Sequence, residues 1–115
     1  MASSPHLLAG KTAAITGGTT GIGRAIALEY IRQGANVCIN HLDLETDKRH
    51  KESLLQEAKA LKEADSEAGT LIELSGDVTD PETGKKLVEE AVKQFGGLDV
   101  FVSNAGVCKF AEFLE

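Results

Sequence analysis

The chain has 115 residues, 42% apolar and 26% charged, with a net charge of −6. That length allows one small domain with a core of its own, and the balance is that of a soluble globular protein. The acidic charge argues against a nucleic-acid or membrane surface, and no apolar run approaches the ~20 residues that span a bilayer.

Residues 1–10 read as a flexible tail, punctuated by Pro5 and Gly10. With Leu7-Leu8 its one aliphatic pair of any size, it reads as neither a signal peptide nor an anchor. Lys11–Thr16 is mostly apolar, as a strand buried on both faces should be. A glycine-rich stretch follows, Thr16-Gly17-Gly18-Thr19-Thr20-Gly21-Ile22-Gly23-Arg24, and it opens a helical pattern over Ile22–Gln33. A strand feeding such a turn into a helix builds a phosphate site, because the helix N-terminus offers unpaired N–H groups and a positive dipole end. Gly18 and Gly23 have P-loop separation, but Arg24-Ala25 follow, so the lysine and the magnesium-binding hydroxyl are missing. The glycines that line up are Gly17, Gly21 and Gly23, in a G-x-x-x-G-x-G pattern rather than G-x-G-x-x-G.

This first helix is expected to bury Ile22, Ile26 and Tyr30, with Leu28 and Ile31 beside them, and to end at Gly34 as a left-handed cap. Asn36–Asn40 is a second strand, and the polar run His41–His50 reads as a loop. A second helix, Lys51–Ala64, carries Leu54, Ala58 and Leu61 at i, i+4 and i+7, its other face solvated. Asp65–Gly69 is a turn and Thr70–Ser75 a third strand. Asp80 caps a third helix with Pro81 at its first position, burying Leu87, Ala91 and Phe95 with Val88 and Val92. Gly96-Gly97 ends it, and Leu98–Ser103 is strand four.

Strands and helices alternate, so the strands should be parallel and the crossovers right-handed. The expected fold is a Rossmann-like, three-layer α/β/α doubly wound sheet of order 3-2-1-4. That is about one of the two mononucleotide-binding halves, with a ligand beyond the carboxyl ends of the strands. Residues 11–115 would form this N-terminal part of an NAD(P)-binding domain. Cys38 and Cys108 are expected as free thiols in a reducing cytosol, and His6, His41 and His50 have no metal-ligand spacing.

The motif Thr16-Gly17-x-x-x-Gly21-Ile22-Gly23 resembles the cofactor motif of the short-chain dehydrogenase/reductase family. The resemblance implies that Gly17, Thr19, Thr20, Gly21, Ile22 and Gly23 hold the nicotinamide dinucleotide. It implies that Asp77 and Val78, after the third strand, meet adenine; the plain alternative for Asp77 is the cap of a turn. Ser103-Asn104-Ala105-Gly106 matches three of four positions of the family's Asn-Asn-Ala-Gly element, which places Asn104, Ala105 and Gly106 beside the coenzyme ribose. Strand two ends in Asn40-His41, and the resemblance implies that both belong to the coenzyme-binding set; NAD-preferring members usually carry a carboxylate in the place of His41. A histidine there can donate to a 2′-phosphate, which favours NADP over NAD; the plain alternative is an exposed loop histidine.

Val100 through Cys108, Phe110, and Glu112 through Glu115 are similar to the sugar-oxidising members typified by fungal L-rhamnose 1-dehydrogenases, with 3-oxoacyl-carrier-protein reductases sharing most of the motifs. The family's acid/base tyrosine precedes a lysine by four residues, whereas the one tyrosine here, Tyr30, is followed at that spacing by Gly34. No catalytic residue is therefore assigned. The resemblance implies an oxidoreductase represented by its coenzyme half; the alternative is a nucleotide-binding module without catalysis. For longer relatives it implies a sugar or carbonyl substrate and a homo-oligomer.

Overall fold

The computed structural model describes residues 6–17, 21–42, 45–77 and 79–103. Seven elements follow one another: β1 (Thr12–Ile15), α1 (Gly21–Arg32), β2 (Asn36–His41), α2 (Glu45–Ala64), β3 (Leu71–Ser75), α3 (Pro81–Phe95) and β4 (Val100–Val102). The strands form one parallel sheet of order β3-β2-β1-β4. Register runs Ile15 to Ile39 and to Val102, and His41 to Ser75. The chain winds outward from β1 through β2 to β3, then returns across the sheet to place β4 on the other side of β1. β1, from which the chain leaves toward β2, and β4, which the chain reaches from the far side of the sheet, thus lie side by side, and it is at the carboxyl ends of such a pair that a doubly wound sheet takes its ligand.

The period of a strand sends alternate side chains to opposite faces, and that divides the core in two. Ile15, Val37 and Ile39 pack with Ala27, Leu28 and Ile31 of α1 and Leu54 and Ala58 of α2. Ala14 and Cys38 face the other way, onto Leu87 and Ala91 of α3. Helices therefore cover both faces, as the alternating pattern implies.

Each helix end has a local cause. Gly34 (φ 93) lets its own N–H reach Ile31 O at 3.0 Å and the Ala35 N–H reach Tyr30 O at 2.9 Å, the paired bonds of a Schellman cap. Asp80 Oδ1 accepts from Glu82 N at 3.0 Å with Pro81 behind it, and Gly96 closes α3 in the left-handed region. At the start of β1, the Thr12 N–H donates to Asp99 Oδ2 at 2.8 Å while the Asp99 N–H donates to Thr12 O at 2.8 Å. That exchange fixes the β4 register and leaves the strand shorter than Leu98–Ser103.

Four expectations need correction. Helix α2 starts at Glu45, not Lys51. Its first turns carry no apolar stripe, but they also hold no glycine or proline, and Glu45 pairs with Lys48 one turn on. His41 is consequently the last residue of β2, and not a loop residue. On α1, Ile22 is 73% exposed and the buried residues are Gly23, Ala27, Leu28 and Ile31. On α3, Val92 is 47% exposed while Thr83, Leu87 and Ala91 are buried. On α1 the expected Ile22–Ile26–Tyr30 row lies one residue, about 100°, from the buried row, while Leu28 and Ile31 are buried as expected; on α3 Leu87 and Ala91 are buried as expected and only Val92 turns outward.

His6–Gly10, expected within a flexible tail, is fastened to the ends of α1 and α2. The Leu8 N–H donates to Gln33 O at 2.9 Å, and the His6 ring meets Asp65 at 2.6 Å and Glu67 at 3.1 Å. Residues 1–5 lie outside the described residues.

Candidate functional site

The carboxyl ends of all four strands bring Gly17, Asn40, His41, Asp77 and Ser103 to one edge of the sheet, beside the first turn of α1. Thr16 joins the two strands that flank the crevice: its N–H donates to Val102 O at 3.0 Å and its hydroxyl reaches the same oxygen at 3.5 Å. Gly17 (φ 63) then turns the chain away from β1.

Gly21 begins α1 with φ +58, a left-handed backbone that a branched residue adopts only under strain. A Cβ built there meets nothing within 4 Å. The first turn of α1 holds no acid. An open approach to backbone N–H groups at the positive end of a helix, free of carboxylates, fits a diphosphate. Gly23 is buried against the sheet, and Ile22 stands exposed at the rim.

Asn40 is 2% exposed, and it faces the α3 side, as Cys38 does. Its Nδ2 donates to Gly76 O at 2.8 Å, and its Oδ1 accepts from the Gly17 N–H at 3.4 Å. Gly76 in turn donates its N–H to His41 O at 2.8 Å. The loops after β1 and β3 are thus tied through the end of β2.

His41 is 4% exposed and lies on the α1/α2 face, its Nε2 paired with Glu73 Oε2. Lys51 of α2 stands 3.9 Å from the other oxygen of Glu73. The exposed loop histidine considered from the sequence is not what the fold places here. Asp77 Oδ1 accepts from the Thr79 N–H at 2.8 Å and from the Thr79 hydroxyl at 2.7 Å, the turn-capping arrangement. Thr19, Thr20, Val78, Asn104, Ala105 and Gly106 lie outside the described residues, as does Cys108.

Sequence reasoning missed Glu73 and Arg24. Glu73 sits inside a strand, where only the pairing of His41 with Ser75 reveals that residue 73 shares a face with His41. Arg24 reaches across to α2, donating to His50 O, Ser53 Oγ and Glu57 Oε1. Among the described residues no cluster of histidine, cysteine or acidic side chains could hold a metal ion, and no helix is long and apolar enough to cross a membrane. Cys38 is a buried free thiol.

A parallel 3-2-1-4 sheet with a glycine turn feeding α1 at its carboxyl edge defines a dinucleotide-binding α/β protein. The chain belongs to the short chain dehydrogenase family, whose sequence model matches residues 11–115. It is 54% identical over 110 residues to L-rhamnose-1-dehydrogenase of Scheffersomyces stipitis, covering 95% of this chain and 40% of that protein. It is 43% identical over 109 residues to L-rhamnose 1-dehydrogenase (NAD(P)(+)) of Azotobacter vinelandii, again 95% of this chain and 40% of the relative. Among solved structures, a Serratia marcescens short-chain dehydrogenase/reductase superposes with a TM-score of 0.73 at 30% identity, covering 89% of this chain and 38% of that one. The chain thus spans about 40% of the length of the curated relatives it matches.

Proposed function

We propose that this chain is the coenzyme-binding part of an NAD(P)-dependent sugar dehydrogenase of the L-rhamnose 1-dehydrogenase kind. The observation that carries the reading is the Gly17–Gly23 turn at the crevice of a 3-2-1-4 sheet, in a chain 54% identical to such an enzyme. Gly17, Thr19, Thr20, Gly21, Ile22 and Gly23 would hold the diphosphate. Asp77 and Val78 would meet adenine, and Asn104, Ala105 and Gly106 would pass beside the ribose. NADP is the first coenzyme to try, because no carboxylate stands at position 41, and NAD is the second. The bound coenzyme would supply hydride transfer; this chain's residues bind and orient it.

Removing the proton from a sugar hydroxyl requires a base within about 3 Å of it. Tyr30, the one tyrosine, lies on α1 with Gly34 four residues on, so it offers no tyrosine–lysine pair. The 115-residue chain should bind coenzyme without oxidising L-rhamnose, and a polypeptide that also carries the pair should do both. Calorimetric titration with NADP⁺ and NAD⁺, followed by absorbance of reduced coenzyme with L-rhamnose present, tests both halves. Gly21→Val should abolish binding, since its side chain fills the approach and strains the backbone. A chain that binds neither coenzyme, or a Gly21→Val variant that binds as well, would overturn the reading.

A further inference from the structure

Asn40 is among the largest fully buried side chains of the described residues, and it is the one carboxamide there. Burying a carboxamide costs free energy unless its donors and acceptor are used. Here both ends are engaged with backbone, on two different loops. The orientation of the amide follows from its neighbours. An N–H at Gly17 can only donate and a carbonyl at Gly76 can only accept, so a flipped amide would set donor against donor and oxygen against oxygen.

The loop of Gly76 is braced from other directions too. Its N–H donates to His41 O, and Thr83, in the first turn of α3, stands 2.8 Å from where a Cβ of Gly76 would be. The bond from Asn40 to Gly17 links that braced loop to the start of the glycine turn. A ligand that spans both loops needs their separation set before it binds, because each freely moving loop would have to be ordered at the moment of binding.

We infer that Asn40 is a positioning residue: it sets the glycine turn at Gly17 against the adenine-side loop at Gly76, and so controls coenzyme affinity without touching the coenzyme. The inference rests on the coenzyme reading above. Asn40 is 2% exposed at the base of the site, and it acts through the two backbones that it joins.

Asn40→Asp is the informative change. It is nearly isosteric and keeps an oxygen for the Gly17 N–H, but it sets a second oxygen against Gly76 O. When ionised that oxygen repels the carbonyl; when protonated it donates to it, as Nδ2 does. Burial and the facing carbonyl both raise the pKa of such an acid. NAD⁺ is the probe, since its diphosphate does not titrate in the range used. Calorimetry should find Asn40→Asp roughly tenfold weaker than the unaltered chain at about pH 8, and within about threefold of it at about pH 5.5. Circular dichroism at both pH values reports whether the variant is folded. A folded variant that binds like the unaltered chain at about pH 8, or whose deficit is the same at both pH values, overturns the inference. If the variant does not fold, amide resonances of the unaltered chain decide: inorganic pyrophosphate, which fills only the glycine turn, should shift Gly76 as well as Gly17. A Gly76 resonance that stays in place overturns the inference. An unaltered chain that takes up no NAD⁺ overturns the coenzyme reading itself, and the inference with it.

Discussion

Arg24 Nη2 donates to Glu57 Oε1 at 2.7 Å, and so the helix that opens at the glycine turn also holds α2. The same guanidinium donates to Ser53 Oγ at 2.9 Å and to His50 O at 3.1 Å. One side chain therefore engages three successive turns of the neighbouring helix, which a lysine could not match in geometry. Glu57 is half exposed, which limits the worth of the ion pair itself. Arg24→Ala should lower stability by about 1 kcal/mol, seen as a fall in Tm of roughly 5 °C. Arg24→Lys should recover less than half of it. An unchanged Tm for Arg24→Ala would show that α2 is held by its apolar face alone.

Two glycines should respond to alanine in opposite directions. A Cβ on Gly69 would lie 1.6 Å from Ala35 O, where the turn before β3 crosses the end of α1. Backbone cannot give way there as a side-chain tip can, so Gly69→Ala should cost about 3 kcal/mol. Gly84 lies inside α3 with nothing within 4 Å of its added Cβ. Gly84→Ala should stabilise by roughly 0.5–1 kcal/mol, because glycine pays more entropy in a helix. Urea titrations of both variants check the pair, and the same sign for both would count against the packing described.

At the end of β2, His41→Asp would set a carboxylate against Glu73 on a face where the side chain at 41 is 2% exposed. Two carboxylates in contact cannot both ionise cheaply, so their folded pKa values rise above the unfolded ones. The native variant then binds more protons than its unfolded chain, and stability increases as pH falls through the acidic range. The expected loss is roughly 3 kcal/mol near neutral pH, shrinking toward about pH 5. A specificity experiment with this variant must therefore be read beside its melting curve at each pH. A loss that does not shrink on acidification would remove the Glu73 contact as its cause.

Cys38 lies at 0% exposure on the α3 side of β2. Burial, assisted by the carboxylates of Glu90 and Glu73, pushes its thiol up from 9.0 to about 12. An unfolded thiol ionises from about pH 9 while the folded one stays protonated, so the native state holds the extra proton. Stability from this group is complete below pH 9 and is lost progressively as pH rises from 9.0 toward about 12. Cys38→Ala should remove that part of the alkaline slope, at some cost in packing. A thiol reagent should modify Cys38 only as fast as the chain opens; rapid labelling of the folded chain would contradict its burial.

Local chemistry in the sequence was enough for the alternation of strands and helices, the parallel 3-2-1-4 order, the Asp80–Pro81 start and the Gly34 and Gly96 stops. The strands, caps and stops rest on near neighbours (an apolar run buried on both faces, a capping side chain, a glycine that alone tolerates a left-handed turn), and the strand order follows from right-handed crossovers in a doubly wound pattern. The glycine turn and its place at the strand ends were legible for the same reason. Tertiary structure decided what depends on partners far along the chain. The start of α2 at Glu45 is a solvated segment without an apolar period, and Arg24 reaches it from α1. The exposure of Ile22 turns on about 100° of rotation of α1, and that of Val92 on the width of the α3 stripe around Leu87 and Ala91, which only packing against the sheet settles. His41 could be read as a loop donor until β3 brought Glu73 onto its face, and Asn40 gains its meaning only from two loops that pairing in the sheet places on either side of it.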